Sequence, residues 1–197
     1  MACGSPVRAD VPPPERRYAT VLFADLVEFT AFAEHRDPED VHAVVDRCLS
    51  ALGSIVAEHG GTVTRVIGDE IMALFGAPVA HGDDAERAVR AALAMRDHMA
   101  DLTGASEGFR VRIGVNSGVV LFASLGPDAT LRPTVIGDVV NTAARLRGAA
   151  PPDGVLVGRE TYRTTRHAVD YAGVQMLQVR GKSAPLPAWL ALRARPL

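Results

Sequence analysis

The chain has 197 residues, of which 48% are hydrophobic and 22% charged, with a formal net charge of −2. That balance is ordinary for a folded domain and excludes a disordered chain, a collagen-like repeat and a disulfide-dense scaffold. The near-neutral charge also removes bulk attraction to nucleic acid or acidic lipid, so neither is an expected partner. In chain order, residues 1–15 carry Gly4, Pro6 and Pro12-Pro13-Pro14 and read as an extended leader, with the domain expected over residues 16–197. Residues 18–23 form a β-prone apolar run that stops shortly before Asp25, the pattern of a buried strand delivering a carboxylate at its tip. A short turn follows, and Asp37-Pro38-Glu39-Asp40 then supplies an N-cap, a proline at the first helical position and acids in the first turn. Val41, Val44, Val45, Cys48, Leu49, Leu52, Ile55 and Val56 recur at helical spacing until Gly60-Gly61 stops the pattern.

Residues 62–67 and 70–75 are β-prone runs joined only by Gly68-Asp69, which predicts a hairpin with a second carboxylate at its tip. Asp83 and Glu86 open a further amphipathic helix that ends before Gly104. Residues 110–116 and 119–125 read as another hairpin turning at Ser117-Gly118, followed by a proline-bounded loop over residues 126–133. A helix is predicted over 138–146 and a weak one over 160–164, with short strands at 155–157, 174–179 and 189–192. Hairpins dominate, so the expected fold class is α+β, a mixed and mainly antiparallel sheet with helices packed on it.

The two cysteines, Cys3 and Cys48, make no disulfide framework, which points to a reducing cytoplasm. No apolar run approaches the ~20 residues of a spanning helix, and the first residues lack the apolar core of a signal peptide. The six histidines are scattered, and no Ser–His or Cys–His arrangement for nucleophilic catalysis is evident.

Two constellations could carry chemistry. Asp25 and Asp69 come from a strand end and a hairpin tip, and strands stand only ~5 Å apart, so both carboxylates can meet on one sheet edge. Paired acids there suit Mg2+ or Mn2+, which take one or two carboxylates and complete their shell with water or substrate phosphates. The plainer alternative is that Asp25 caps a turn and Asp69 shapes the hairpin. Asn141 and Arg145 lie four apart on one predicted helix face, an amide able to orient a ribose beside a guanidinium able to neutralise phosphoryl charge. Their alternative is a solvent-facing polar stripe.

Four stretches are more specific together than singly: Phe23-Ala24-Asp25-Leu26-Val27-Glu28-Phe29-Thr30, Val66-Ile67-Gly68-Asp69-Glu70, Gly114-Val115-Asn116-Ser117-Gly118, and the run from Val135 through Asp138, Asn141 and Arg145 to Leu146. In order and spacing they resemble the class III nucleotidyl cyclase catalytic domain, over most of the chain. The resemblance implies a ferredoxin-like α/β sandwich working as a head-to-tail homodimer, with active sites shared between chains. It implies that Asp25, Asp69 and the backbone carbonyl of Leu26 hold two divalent ions, Mg2+ or Mn2+. Backbone amides near Phe29 and Thr30 would cradle the terminal phosphates of ATP, with Asn141 and Arg145 arriving from the partner. Arg180 or Lys182 matches the basic residue that grips the triphosphate. The implied reaction is attack of the ribose 3′-oxygen on the α-phosphorus, yielding cyclic AMP and pyrophosphate, and a regulatory domain can accompany such a unit on a longer natural chain.

Two positions depart from the family pattern. Arg65 stands where adenylate-specific members carry lysine, in a chain whose only lysine is Lys182, and its purine-contacting companion position holds Thr134. That pair accommodates adenine without excluding guanine. Glu28 stands where the phosphate-cradling turn has glycine, which disfavours φ > 0 and brings a carboxylate beside a triphosphate. The leading expectation is therefore an adenylate cyclase; the alternatives are a guanylate cyclase and a catalytically weakened nucleotide-binding or dimerisation module.

Overall fold

The computed structural model describes residues 14–34, 36–103, 109–123, 134–178 and 184–196. Residues 1–13 of the leader expected over 1–15, Cys3 among them, and the proline-bounded loop lie outside them, while Glu15 already belongs to β1. The elements in order are β1 (Glu15–Leu26), α1 (Phe29–Ala33), α2 (Pro38–Glu58), β2 (Thr62–Ile67), β3 (Glu70–Phe75), α3 (Asp84–Thr103), β4 (Val111–Ala123), β5 (Thr134–Ile136), α4 (Asp138–Ala149), β6 (Gly154–Gly158), α5 (Arg159–Thr165), β7 (Val169–Tyr171), β8 (Gln175–Leu177) and β9 (Leu186–Ala194). The run β1–α2–β2–β3–α3–β4 with strand order β2-β3-β1-β4 is the ferredoxin-like arrangement, and β6, β9 and β7 extend the sheet beyond β4. Only β4–β6 is a parallel pair among the described residues. The α+β sandwich and mainly antiparallel sheet expected from the sequence are what the chain forms.

Local chemistry fixes the predicted elements. Asp37 caps α2 by accepting a hydrogen bond from the Glu39 backbone amide at 3.0 Å, with Pro38 at the first helical position. Gly60 ends the helix region at φ 77. β1 alternates between two cores. Leu22, Ala24 and Leu26 join the cluster formed with α2 and α3, which includes the buried Cys48; Val21 and Phe23 join a second cluster with Ala143 of α4. The helices therefore sandwich the sheet, and among the described helices α4 covers the face that carries Asp25.

The sequence-based hairpin at Ser117-Gly118 does not form: β4 runs unbroken through both residues. β1 pairs with it along its whole length, from Glu15 opposite Phe122 to Leu26 opposite Val111. Ser117 serves as a buried polar rung, hydrogen-bonded through its hydroxyl to Thr20 at 2.8 Å and Thr161 at 2.9 Å. Gly118 makes room for α4, since a Cβ there would stand 2.8 Å from Val139 Cγ2. Residues that read as a turn are thus strand positions where small side chains admit close neighbours. The short elements α1, β5 and β7 also carried no signal of their own. Among the described residues no helix is long and apolar enough to cross a membrane.

Candidate active site

Asp25 is the penultimate residue of β1, opposite Glu70 on β3 and Arg112 on β4. Directly opposed residues share a sheet face, so register alone gathers these three side chains. Asp25 is only 5% exposed. Arg112 Nε and Nη2 donate to its Oδ1 and Oδ2 at 3.2 and 2.9 Å, and Arg147 Nη1 of α4 donates to Oδ2 at 2.9 Å. Arg147 Nη2 makes a short hydrogen bond to Glu70, while its buried Nε has no acceptor. Arg147 reaches the sheet because β4 has a glycine beneath it. A Cβ on Gly114 would lie 2.2 Å from the Arg147 backbone nitrogen and 2.3 Å from the Ala143 carbonyl oxygen.

Asp69 follows Gly68, whose φ of 59 turns the β2–β3 hairpin. Burial pushes the Asp69 carboxyl up, and the charge of Asp25 adds to that; its own backbone amide, Arg147 and the Leu26 amide pull the other way. Asp69 is therefore electrostatically coupled to Asp25 and Leu26, the three residues proposed from the sequence as one cluster. The donors available are carboxylates and a backbone carbonyl, all hard oxygens, and the repulsion between the two acids favours a cation between them. The described residues contain no cluster of three or more His, Cys, Asp or Glu side chains arranged for a metal. By donor chemistry alone, two carboxylates and a backbone carbonyl suit an open Mg2+ or Mn2+ site completed by water or substrate.

Phe29 and Thr30 begin α1 just past this edge. Glu28 before them adopts φ 66, the left-handed conformation that its side chain was expected to disfavour. The carboxylate is exposed and stands 3.7 Å from Arg110 Nη2. A cleft of about 550 Å³ opens beside this turn, touching Phe29, Arg36, Val45, Val66 and Gly68.

The remaining candidates stand elsewhere. α4 buries Thr142, Ala143 and Leu146, leaving Asn141 exposed and Arg145 half-buried, neither with a hydrogen-bond or ion-pair partner among the described residues. Arg65 is exposed on β2. Thr134 starts β5, opposite Ala123 and so at the end of β4 remote from Asp25. Arg180 and Lys182 lie outside the described residues. Sequence reasoning missed Arg112, Glu70 and Arg147 as members of the Asp25 cluster. The available signal was a charge inside the apolar run Val111-Arg112-Ile113, but its meaning depends on strand register.

Comparison with known proteins agrees with this geometry. Residues 11–191 match the family model described as the adenylate and guanylate cyclase catalytic domain. Adenylate cyclase 1 of Rhizobium meliloti (strain 1021) is 32% identical over 178 residues, covering 87% of this chain and 27% of that protein. The human guanylate cyclase soluble subunit beta-2 is 30% identical over 155 residues, covering 78% of this chain and 25% of its own length. The chain thus spans about a quarter of each of these relatives. The crystal structure of the adenylyl cyclase CyaB from P. aeruginosa superposes with a TM-score of 0.87 at 28% identity, covering 93% of this chain and 98% of that one. A carboxylate pair at the β1 and β2–β3 tips, an α4 bearing Asn141 and Arg145, and a family match over residues 11–191 converge, and the chain belongs to the adenylate and guanylate cyclase catalytic domain family.

Proposed function

We propose that this chain is an adenylate cyclase domain that converts ATP to 3′,5′-cyclic AMP and pyrophosphate in the cytoplasm, at sites shared between two copies of itself. The observation that carries the reading is the separation of the two half-sites. Asp25 and Asp69 gather at the β1 end of the sheet, whereas Asn141 and Arg145 face outward from α4 without partners among the described residues. A head-to-tail partner brings the second pair to the first, and does so twice in a symmetric dimer.

Asp25, Asp69 and the Leu26 carbonyl would hold Mg2+ or Mn2+, which when bound lowers the barrier by charge neutralisation at the reacting phosphate. Asn141 orients the ribose so that its 3′-oxygen lies in line with the α-phosphorus. The new bond is O3′–P, the bond broken joins the α-phosphorus to its bridging oxygen, pyrophosphate leaves, and the hydroxyl proton passes to solvent. Arg145 neutralises the charge that grows on the phosphoryl oxygens, and Arg180 or Lys182 holds the departing pyrophosphate. Arg65 and Thr134 would contact the purine edge.

Two observations favour other readings. Similarity to a guanylate cyclase subunit and the permissive Arg65–Thr134 pair suit GTP. The two guanidiniums already on Asp25, with Glu28 in the phosphate turn, suit a nucleotide-binding module. Incubating the pure protein with ATP or GTP and Mn2+, then separating products by chromatography, distinguishes all three. Cyclic AMP from ATP supports the proposal; cyclic GMP alone, or no cyclic product, overturns it.

A further inference from the structure

We propose that Arg147 is the resident counter-cation of the metal site: its guanidinium occupies an Asp25 oxygen that a divalent ion must take, so that metal binding is an exchange. In that exchange Arg147 gives up Asp25 and keeps Glu70. The inference rests on the assignment of Asp25 and Asp69 as metal ligands.

Each contact of Arg147 fits this role. Asp25 Oδ2 is shared between Arg147 Nη1 and Arg112 Nη2, both at 2.9 Å, while Oδ1 is held by Arg112 alone. Arg147 therefore adds a second cation to an oxygen that already has one donor. Its other terminal nitrogen is bound to Glu70, the residue opposite Asp25 on β3, so the side chain has an anchor left when Asp25 is taken. Its buried Nε finds no acceptor, so the position is not held by a complete hydrogen-bond set; charge keeps it there. Asp25 and Glu70 face two guanidiniums, and the charge of Asp69 acts on Asp25 and Arg147 through space. Such a balance is close to neutral without a metal and becomes cationic with one, which favours withdrawal of the nearer guanidinium.

The Arg147 backbone cannot move closer to β4, because Gly114 leaves no space even for a methyl group between them. Rotation of the Arg147 side chain toward Glu70 is the available response.

The test is Mn2+ binding to the metal-free protein without nucleotide, read from the free-ion signal in electron paramagnetic resonance. Asp25→Asn serves as the control for the metal assignment. Arg147→Met is expected to bind Mn2+ about tenfold more tightly than wild type, because one competing cation is gone. Arg147→Gln keeps a polar head, removes the charge and is expected to change affinity in the same direction, which preserves the test should the methionine variant fail to fold. Equal or weaker binding in these variants, with Mn2+ binding abolished by Asp25→Asn, overturns the role of Arg147 and leaves the metal assignment standing. Binding indifferent to Asp25→Asn, or no Mn2+ binding in any variant, overturns both.

Discussion

Asp25→Ala removes a carboxylate that is 5% exposed and that accepts hydrogen bonds from Arg112 Nε, Arg112 Nη2 and Arg147 Nη1. What remains is two guanidiniums facing each other across the gap. Removing one partner of a fully buried ion pair costs about 3–5 kcal/mol. Here the arginine side chains are 34% and 23% exposed and Arg147 retains Glu70, so the lower end, about 3 kcal/mol, is the better figure. A domain of this size loses about 2–4 °C in melting temperature per kcal/mol, which gives a drop of about 6–12 °C. Asp69→Ala is the informative contrast. Burial and the charge of Asp25 push the Asp69 carboxyl up, so its charged form is disfavoured in the fold and its removal relieves repulsion. The expected change is within about 1 kcal/mol of wild type. Both variants should lose cyclic product. Thermal melts in chelator, paired with product chromatography, measure the two effects separately. Equal melting losses for the two variants would refute the assigned electrostatics, and retained turnover in either would refute the metal assignment.

The shared-site arrangement predicts that mixing inactive Asp25→Ala and Asn141→Ala chains restores product, since one of the two sites in a mixed dimer receives intact halves; no recovery in dimers verified by mass spectrometry counts against it. Glu28→Gly should raise the melting temperature by about 2–4 °C, because a left-handed residue other than glycine costs about 1 kcal/mol and the exposed contact with Arg110 contributes little. A lower or unchanged melting temperature would show that the turn is not strained. Burial pushes the Tyr171 hydroxyl up to about 12. With the folded value above the unfolded one near 10, stability is complete below about pH 10 and falls by about 2–3 kcal/mol as pH rises toward 12. Urea titrations at pH 9 and 11 should show a smaller loss for Tyr171→Phe than for wild type, and identical losses would remove the assignment. Gly114→Ala should be less stable than wild type by about 1–3 kcal/mol in urea titrations, because the added methyl meets backbone and not a movable side chain; a stable variant would mean that α4 can slide.

The sequence carried its strongest structural information where one residue type has one local job. Asp37 before Pro38 and Gly60-Gly61 after the apolar stripe bounded α2, and Gly68-Asp69 marked the β2–β3 turn. The same local logic misread Ser117-Gly118, because small residues serve equally in a turn and under a close-packed helix, and only the partners Thr20, Thr161 and Val139 decide which. The site divided similarly. Asp25 and Asp69 were legible as acids at the tips of apolar runs. Arg147 was not, because its importance comes from a contact with a residue 122 positions away, made possible by a glycine on a third element. Long-range pairing of charges leaves no periodic trace in the chain.

The unbroken β1–β4 ladder has a mechanical consequence. Both half-sites are fastened to it: Asp25 and Arg112 near one end directly, and Asn141 and Arg145 through α4, which packs on it. Twelve consecutive paired positions, without a register shift, make a beam that resists bringing its ends together or apart. If turnover needs halves from two chains, the ladder holds the spacing of the halves it carries nearly constant within each chain. Control would then fall on the angle at which two such chains meet, since a small rotation between them is magnified along the length of the beam.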